Sequence, residues 1–178
     1  MSKRLIQNCR LLALLLVLVT AAGCEDDAEN ELDRVSNTLF VQQAASSDVF
    51  EIQVSTSAAN KASTAEVRQY AQQMVSDHTQ ARIELKSIAA QKNITVPDSM
   101  APEKQALRDR LSSRNGVAFD KEYMDIQVQV HEENVTMFES AAEQVPDADL
   151  RAYARSQLPI LRMHLNQARQ LKAATDQL

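Results

Sequence analysis

The sequence predicts an all-α protein: an up-and-down bundle of four long helices, with a short extra helix between the second and third. Three observations predict it. Apolar residues recur at alternating steps of four and three along most of the chain, the spacing of a helix face rather than a strand. Glycine occurs only at Gly23 and Gly116 in 178 residues, whereas a β-rich chain needs Gly or Pro turns about every ten residues. Turn-forming residues gather between the periodic segments, around Asn93–Asp98, Asn115–Gly116 and Pro146–Asp147.

The first helix, over roughly 36–60, has the weakest pattern. Val41, Ala45, Asp48, Ile52, Ser55 and Ala59 form one seam of mostly small residues, and Phe40, Val49 and Phe50 fall outside it. The second helix is the clearest, with a seam of Val67, Ala71, Met74, His78, Ala81, Leu85 and Ile88. Ser63 and Glu66 have the spacing of a capping box at its start. Pro102 suits the first turn of a short amphipathic helix that ends near Ser113. The third long helix carries Met124, Val128, His131, Val135, Phe138, Ala142 and Val145, and Pro146 stops it. Asp147 is a good N-cap for the fourth, whose seam is Leu150, Ala154, Gln157, Leu161, His164, Ala168 and Leu171. Pro159 lies inside that helix and is expected to kink it. The buried-side methionines Met74, Met124, Met137 and Met163 are read as core filler.

The N-terminus carries an address. Lys3, Arg4 and Arg10 precede an unbroken apolar run over 11–19, and small residues follow up to Gly23. This is the layout of a bacterial secretory signal peptide, and its 13 uncharged residues from Leu11 to Gly23 are too few to span a bilayer of about 30 Å. Ala21-Ala22-Gly23-Cys24 resembles a lipobox, which makes Cys24 a lipidation site and the first mature residue. Cys9 lies in the removed part, so no intramolecular disulfide is expected. Five acids within residues 25–31 read as a solvated tether over 24–34, leaving 35–178 as the bundle. The expected location is the bacterial cell envelope, as a periplasm-facing lipoprotein on the inner or outer membrane.

Charge and composition exclude whole classes of function. The net charge is −5, and without residues 1–23 the chain holds 16 basic against 24 acidic residues. Such a surface repels phosphate backbones, and there is no basic stripe with interleaved aromatics, so nucleic acid is not an expected partner. Two glycines cannot build a phosphate-binding loop or a dinucleotide fingerprint.

Three histidines remain to be explained: His78, His131 and His164, one on the seam of each of three helices. His131 lies 15 residues before Pro146 and His164 lies 18 after it, so their levels differ by roughly 4–5 Å. His78 lies midway between Ser63 and Asn93. All three can therefore meet at mid-bundle, where neutral imidazoles suit a transition metal such as Zn, Cu, Fe or Ni. Glu51 could add a carboxylate, although its expected level is about 8 Å away from that of His78. The residues three before each histidine are Val75, Val128 and Leu161, so the Glu-x-x-His pattern of carboxylate-bridged di-iron bundles is missing.

Taken together, Phe40-Val41, Glu51-Ile52, Lys61-Ala62-Ser63, Met74-Val75 with Asp77-His78, Phe119-Asp120 with Tyr123, His131, Leu158-Pro159 and His164 resemble the bacterial domain of unknown function 4142 family. The resemblance runs from about Leu39 to Leu171. It implies a ferritin-like four-helix fold in an exported protein, and it implies no activity. Ser55 stands where the family usually has Gly.

Two function classes follow, in this order. The first is a lipid-anchored binding or interaction module with a partner protein in the envelope and no catalytic residues. The second is a transition-metal protein (sensor, store or enzyme) using His78, His131, His164 and Glu51. A structural stress protein without a specific ligand is the third idea.

Overall fold

The computed structural model describes residues 24–178, with side chains from Glu31 onward except Val35. The signal peptide read over 1–23 and the side chain of Cys24 lie outside the described residues. Five helices follow in order: α1 (Cys24–Lys61), α2 (Ala65–Gln91), α3 (Pro102–Ser112), α4 (Gly116–Gln144) and α5 (Ala148–Thr175). No strand occurs among the described residues, and none of their helices is long and apolar enough to cross a membrane.

α1 is longer than its expected span, because the acidic segment read as a tether continues it as helix. Arg34 binds both carboxylate oxygens of Glu31, at 2.9 and 2.6 Å, across one turn of this extension. Adding turns to an existing helix costs little compared with nucleating one. The buried face of α1 is also wider than one seam: Phe40, Val49 and Phe50 are all buried. The reason is that α1 touches α2, α4 and α3, so it is covered from three sides. Met163 departs from its reading as filler and is exposed.

The starts and stops are those of ordinary helix chemistry, with one exception. The Asp147 side chain accepts from the backbone N–H groups of Asp149 and Leu150 and caps α5. α2 ends in a Schellman turn, with Asn93 at φ 55° and Ile94 N–H reaching the Ala89 carbonyl at 3.0 Å. The capping box expected at Ser63 does not form. The N-cap of α2 is Thr64, and its side chain caps nothing. Instead Asp120 of α4 accepts from the backbone N–H of Ser63 and of Thr64, each at 2.8 Å, and from the Thr64 hydroxyl at 3.0 Å. A fully buried carboxylate from another helix thus holds the α1–α2 turn.

The core comes in two apolar clusters. One holds Phe50, Val54, Tyr70, Met74, Phe119 and Tyr123. The other holds Phe40, Leu85, Phe138, Leu150, Tyr153 and Leu161. Along α2 and α4 the chain passes from the first cluster to the second, and along α1 and α5 it passes from the second to the first. α2 and α4 therefore run in the same direction, and the simple up-and-down order expected from the sequence is corrected to up, down, down, up. The connection after α2 makes this possible. Ile94 and Val96 pack on the second cluster, while Met100, Leu107 and Leu111 pack on the first, so residues 92–115 return along the bundle. α3 lies against α1 and α4 on that path. One long crossing of this kind is the connectivity of ferritin-like bundles.

Candidate metal centre

Between the two apolar clusters lies a polar layer. Asp48 and Glu51 come from α1, His78 from α2, Gln127, His131 and Asn134 from α4, and His164 from α5, and all are buried. The three histidines are 4%, 0% and 1% exposed, in chain order. Their centroids form a near-equilateral triangle with sides of 5.7, 5.7 and 5.4 Å.

Each ring has one nitrogen engaged and one bare. His78 Nδ1 bonds Asp48 Oδ1 at 2.9 Å, His164 Nε2 bonds Asp77 Oδ2 at 2.9 Å, and His131 Nδ1 bonds the Gln127 backbone carbonyl at 3.0 Å. Carboxylates and carbonyls only accept, so these three nitrogens donate. That sets the tautomers and leaves the lone pair of each neutral ring on the opposite nitrogen. Those nitrogens, His78 Nε2, His131 Nε2 and His164 Nδ1, are buried without any hydrogen-bond partner. One ligand atom from each ring lies within 4.8 Å of the other two.

Three buried ring nitrogens without partners are costly on their own, since each buried unpaired polar atom costs about 1–3 kcal/mol. A metal ion would satisfy all three at once. Imidazole nitrogens about 2.0–2.1 Å from a tetrahedral metal sit roughly 3.4 Å apart, so the widest pair would close by about 1.4 Å. The engaged nitrogens have the partners that metal-bound histidines have, a carboxylate or a backbone carbonyl. The donor set therefore fits a transition metal of the Zn or Cu type.

Electrostatics grade the three rings. Burial pushes His78 down, but the hydrogen bond to Asp48 and the nearby Glu51 charge outweigh it, so His78 is raised. Burial, together with the charge of His78, holds His131 well below the usual histidine range. The same two causes bring His164 down to about 4, against the pull of Asp77. His78 thus holds a proton better than the other two rings do, and any proton on a ligand nitrogen has to leave for a metal to bind. In the metal-free protein, proton NMR of the imidazoles should show His164 neutral until pH falls to about 4, with His78 protonated above the ordinary value. For His164 the sign is that of a depressed base: its share of stability is present above about pH 6.5 and is lost as pH falls toward 4. A His164 titration midpoint near 6.5 would contradict the geometry.

The structure brings His78, His131 and His164 together and sets Glu51 beside them. Glu51 Oε1 lies 3.9 Å from His131 Nδ1, the nitrogen that already bonds Gln127, and not against the bare Nε2. Its Oε2 accepts from the Gln127 amide at 2.7 Å, and the Gln127 oxygen takes the Tyr70 hydroxyl at 3.1 Å. Burial raises the Glu51 carboxyl above the usual range. No carboxylate or cysteine joins the three histidines among the described residues.

Sequence reasoning gives no role to Asp48, which it places in a seam, or to Asp77, which it names only within the resemblance. A charged residue inside a seam of small apolar ones, as Asp48 is, was the available signal. The carbonyl of Gln127 had no signal, since every residue carries one.

These features define a class, an all-helical bundle whose buried middle layer is a three-histidine cluster. The chain belongs to the family described as Domain of unknown function (DUF4142), which it matches over residues 22–171. Among solved structures it is similar to a chain described as CopM in the Cu(II)-bound form, with a TM-score of 0.67 and 17% identity over 78% of this chain and 96% of that one. That likeness is one of fold. No curated protein matches the chain.

Proposed function

We propose that this protein binds a divalent transition-metal ion at His78, His131 and His164 and handles that metal in the bacterial cell envelope. One observation carries the reading: three buried rings each keep one nitrogen without a partner while an acceptor holds the other, and a ring nitrogen of each lies within 4.8 Å of the other two. A purely structural layer would be better served by apolar side chains, as in the clusters above and below it. This reverses the order suggested by the sequence, in which an interaction module came first. The fold likeness to a Cu(II)-bound chain agrees with it.

The test is metal content by mass spectrometry on protein purified without chelator or His tag, as isolated and after adding Zn, Cu and Fe. Near-stoichiometric metal supports the reading. No uptake of any of the three would refute it.

The site belongs, on this reading, to a lipoprotein anchored through Cys24. Cys24→Ala is expected to move the protein from the membrane pellet to the soluble fraction, and the unaltered N-terminal peptide should carry acyl mass on Cys24. An unmodified Cys24 in membrane-free protein would remove the anchor.

A further inference from the structure

We propose that the metal ion enters and leaves between α2 and α5, past Asp77, and that the ring of His164 is the gate it passes. The inference rests on the metal reading above.

The three groups that hold the rings differ in their access to solvent. Asp48 and Gln127 are buried, whereas the Asp77 side chain is 33% exposed. Its Oδ2 accepts from His164 Nε2 at 2.9 Å. One carboxylate thus touches both bulk water and a ligand ring, and it offers an arriving cation its first oxygen. The hollows on either side of it along the α2–α5 groove are lined by Glu66 and by Glu84, and among the described residues no lysine or arginine lines either. An acidic lane of this kind draws divalent cations inward.

There is also room behind Asp77. A small cavity lined by Asp77, His78 and His164 has Ile160 in its wall, and that residue is 36% exposed. Elsewhere the same cavity ends at Ser47 and Asn134, which are buried and joined by a hydrogen bond of 2.9 Å. This pair also lines the hollow between α1, α3 and α4, so it closes the alternative way in.

His164 stands across the path. Its Nε2 meets Asp77, so the bare Nδ1 lies on the far side of the ring from the arriving ion. An ion coming from Asp77 has to pass this ring, and the ring turns to let it by. A cation on Asp77 competes with the Nε2–H for the carboxylate and loosens its hold on the ring. Capture thereby favours opening. His131, fully buried and held by backbone, has no such release.

The test is stopped-flow uptake of Cu(II) by the full-length protein, read by fluorescence quenching, with release into excess EDTA followed in the same way. Ile160→Trp and Gln73→Trp each place a large ring at the entrance, one from α5 and one from α2. Ile160 lines the cavity, and Gln73 lies one turn from Asp77 and donates to it at 3.4 Å. Each variant is expected to slow uptake and release alike, by about tenfold or about 1.4 kcal/mol of barrier, at unchanged affinity. Equal changes in both rates mark a route, because a change to a bound contact shifts their ratio. Gln43→Trp, in the hollow between α1, α3 and α4, should change neither rate. In the unaltered protein the uptake rate should level off as copper concentration rises, since the turn of the ring follows capture. Unchanged rates in both α2–α5 variants would overturn the route, as would slowing in Gln43→Trp instead. An uptake rate proportional to copper concentration throughout would overturn the gate. Any of these results leaves the metal reading intact, since copper still binds. Failure to take up copper, zinc or iron would remove the metal reading and this inference together.

Discussion

His131→Ala is expected to reduce bound metal from near-stoichiometric to background, while the protein stays folded. His131 is the best single probe because its ring is fully buried and its Nδ1 is held by backbone rather than by another side chain. Removing it takes away one of three donors and leaves Asp48 and Asp77 holding the other two rings. Two imidazoles alone cannot retain an ion against chelating buffer. The variant also removes a buried ring nitrogen that has no partner, so the cost of the new cavity, about 2–4 kcal/mol for a large side chain, is partly offset. Asp77→Asn should weaken binding about 10- to 100-fold, the usual effect of losing the group that orients a ligand histidine. Glu51→Gln should leave the metal content unchanged, since the Gln127 amide can still donate to its oxygen. Metal measured in all three variants beside unaltered protein checks the set. Equal metal in His131→Ala and the unaltered protein would sink the three-histidine site.

The largest effect on stability is expected at Asp120→Ala. Asp120 is fully buried, accepts two backbone N–H groups and one hydroxyl, and joins the start of α4 to the turn before α2. Hydrogen bonds to a charged group are worth about 1.5–3 kcal/mol each, and two backbone donors would be left unpaired. A loss of about 3 kcal/mol, or roughly 6–12 °C in Tm, is expected by thermal unfolding in the presence of chelator. Asp120→Asn keeps an acceptor oxygen and should lose about half as much. A Tm within 2 °C of the unaltered protein for Asp120→Ala would show that the turn is held by other contacts. Metal content should not change, because Asp120 lies among the residues of the Phe119–Tyr123 end and not in the histidine layer.

These two predictions separate what was legible in the sequence from what was not. Apart from the start of α1, the helix boundaries were legible, because caps and breakers are local chemistry. Pro102 opens α3 and Asp147 caps α5 as expected. The meeting of the three histidines was also legible, because rise per residue turns a position along a seam into a depth. The Asp120 clamp was not. A capping box needs only the right residues at the right spacing, and Ser63 and Glu66 have both, yet a carboxylate from α4 reaches the same turn. The orientation of Glu51 was not legible for a related reason. Its depth could be estimated, but the side of His131 that it faces depends on how α1 and α4 are rotated against each other.

By itself the sequence determined an all-helical chain, its turns, a polar layer near mid-helix and the residue types able to hold a metal. Each of these depends on short-range periodicity, so each can be read along one chain. Only the tertiary structure decided that α2 and α4 run in the same direction, that Asp48 and Asp77 orient two of the rings, and that each ring keeps one nitrogen without a partner. Direction and rotation between helices are set by long-range packing, in this case by the return of residues 92–115 along the bundle and by which faces the two apolar clusters bury. A heptad seam states that a face is buried and is silent about which atom of a buried ring meets which neighbour.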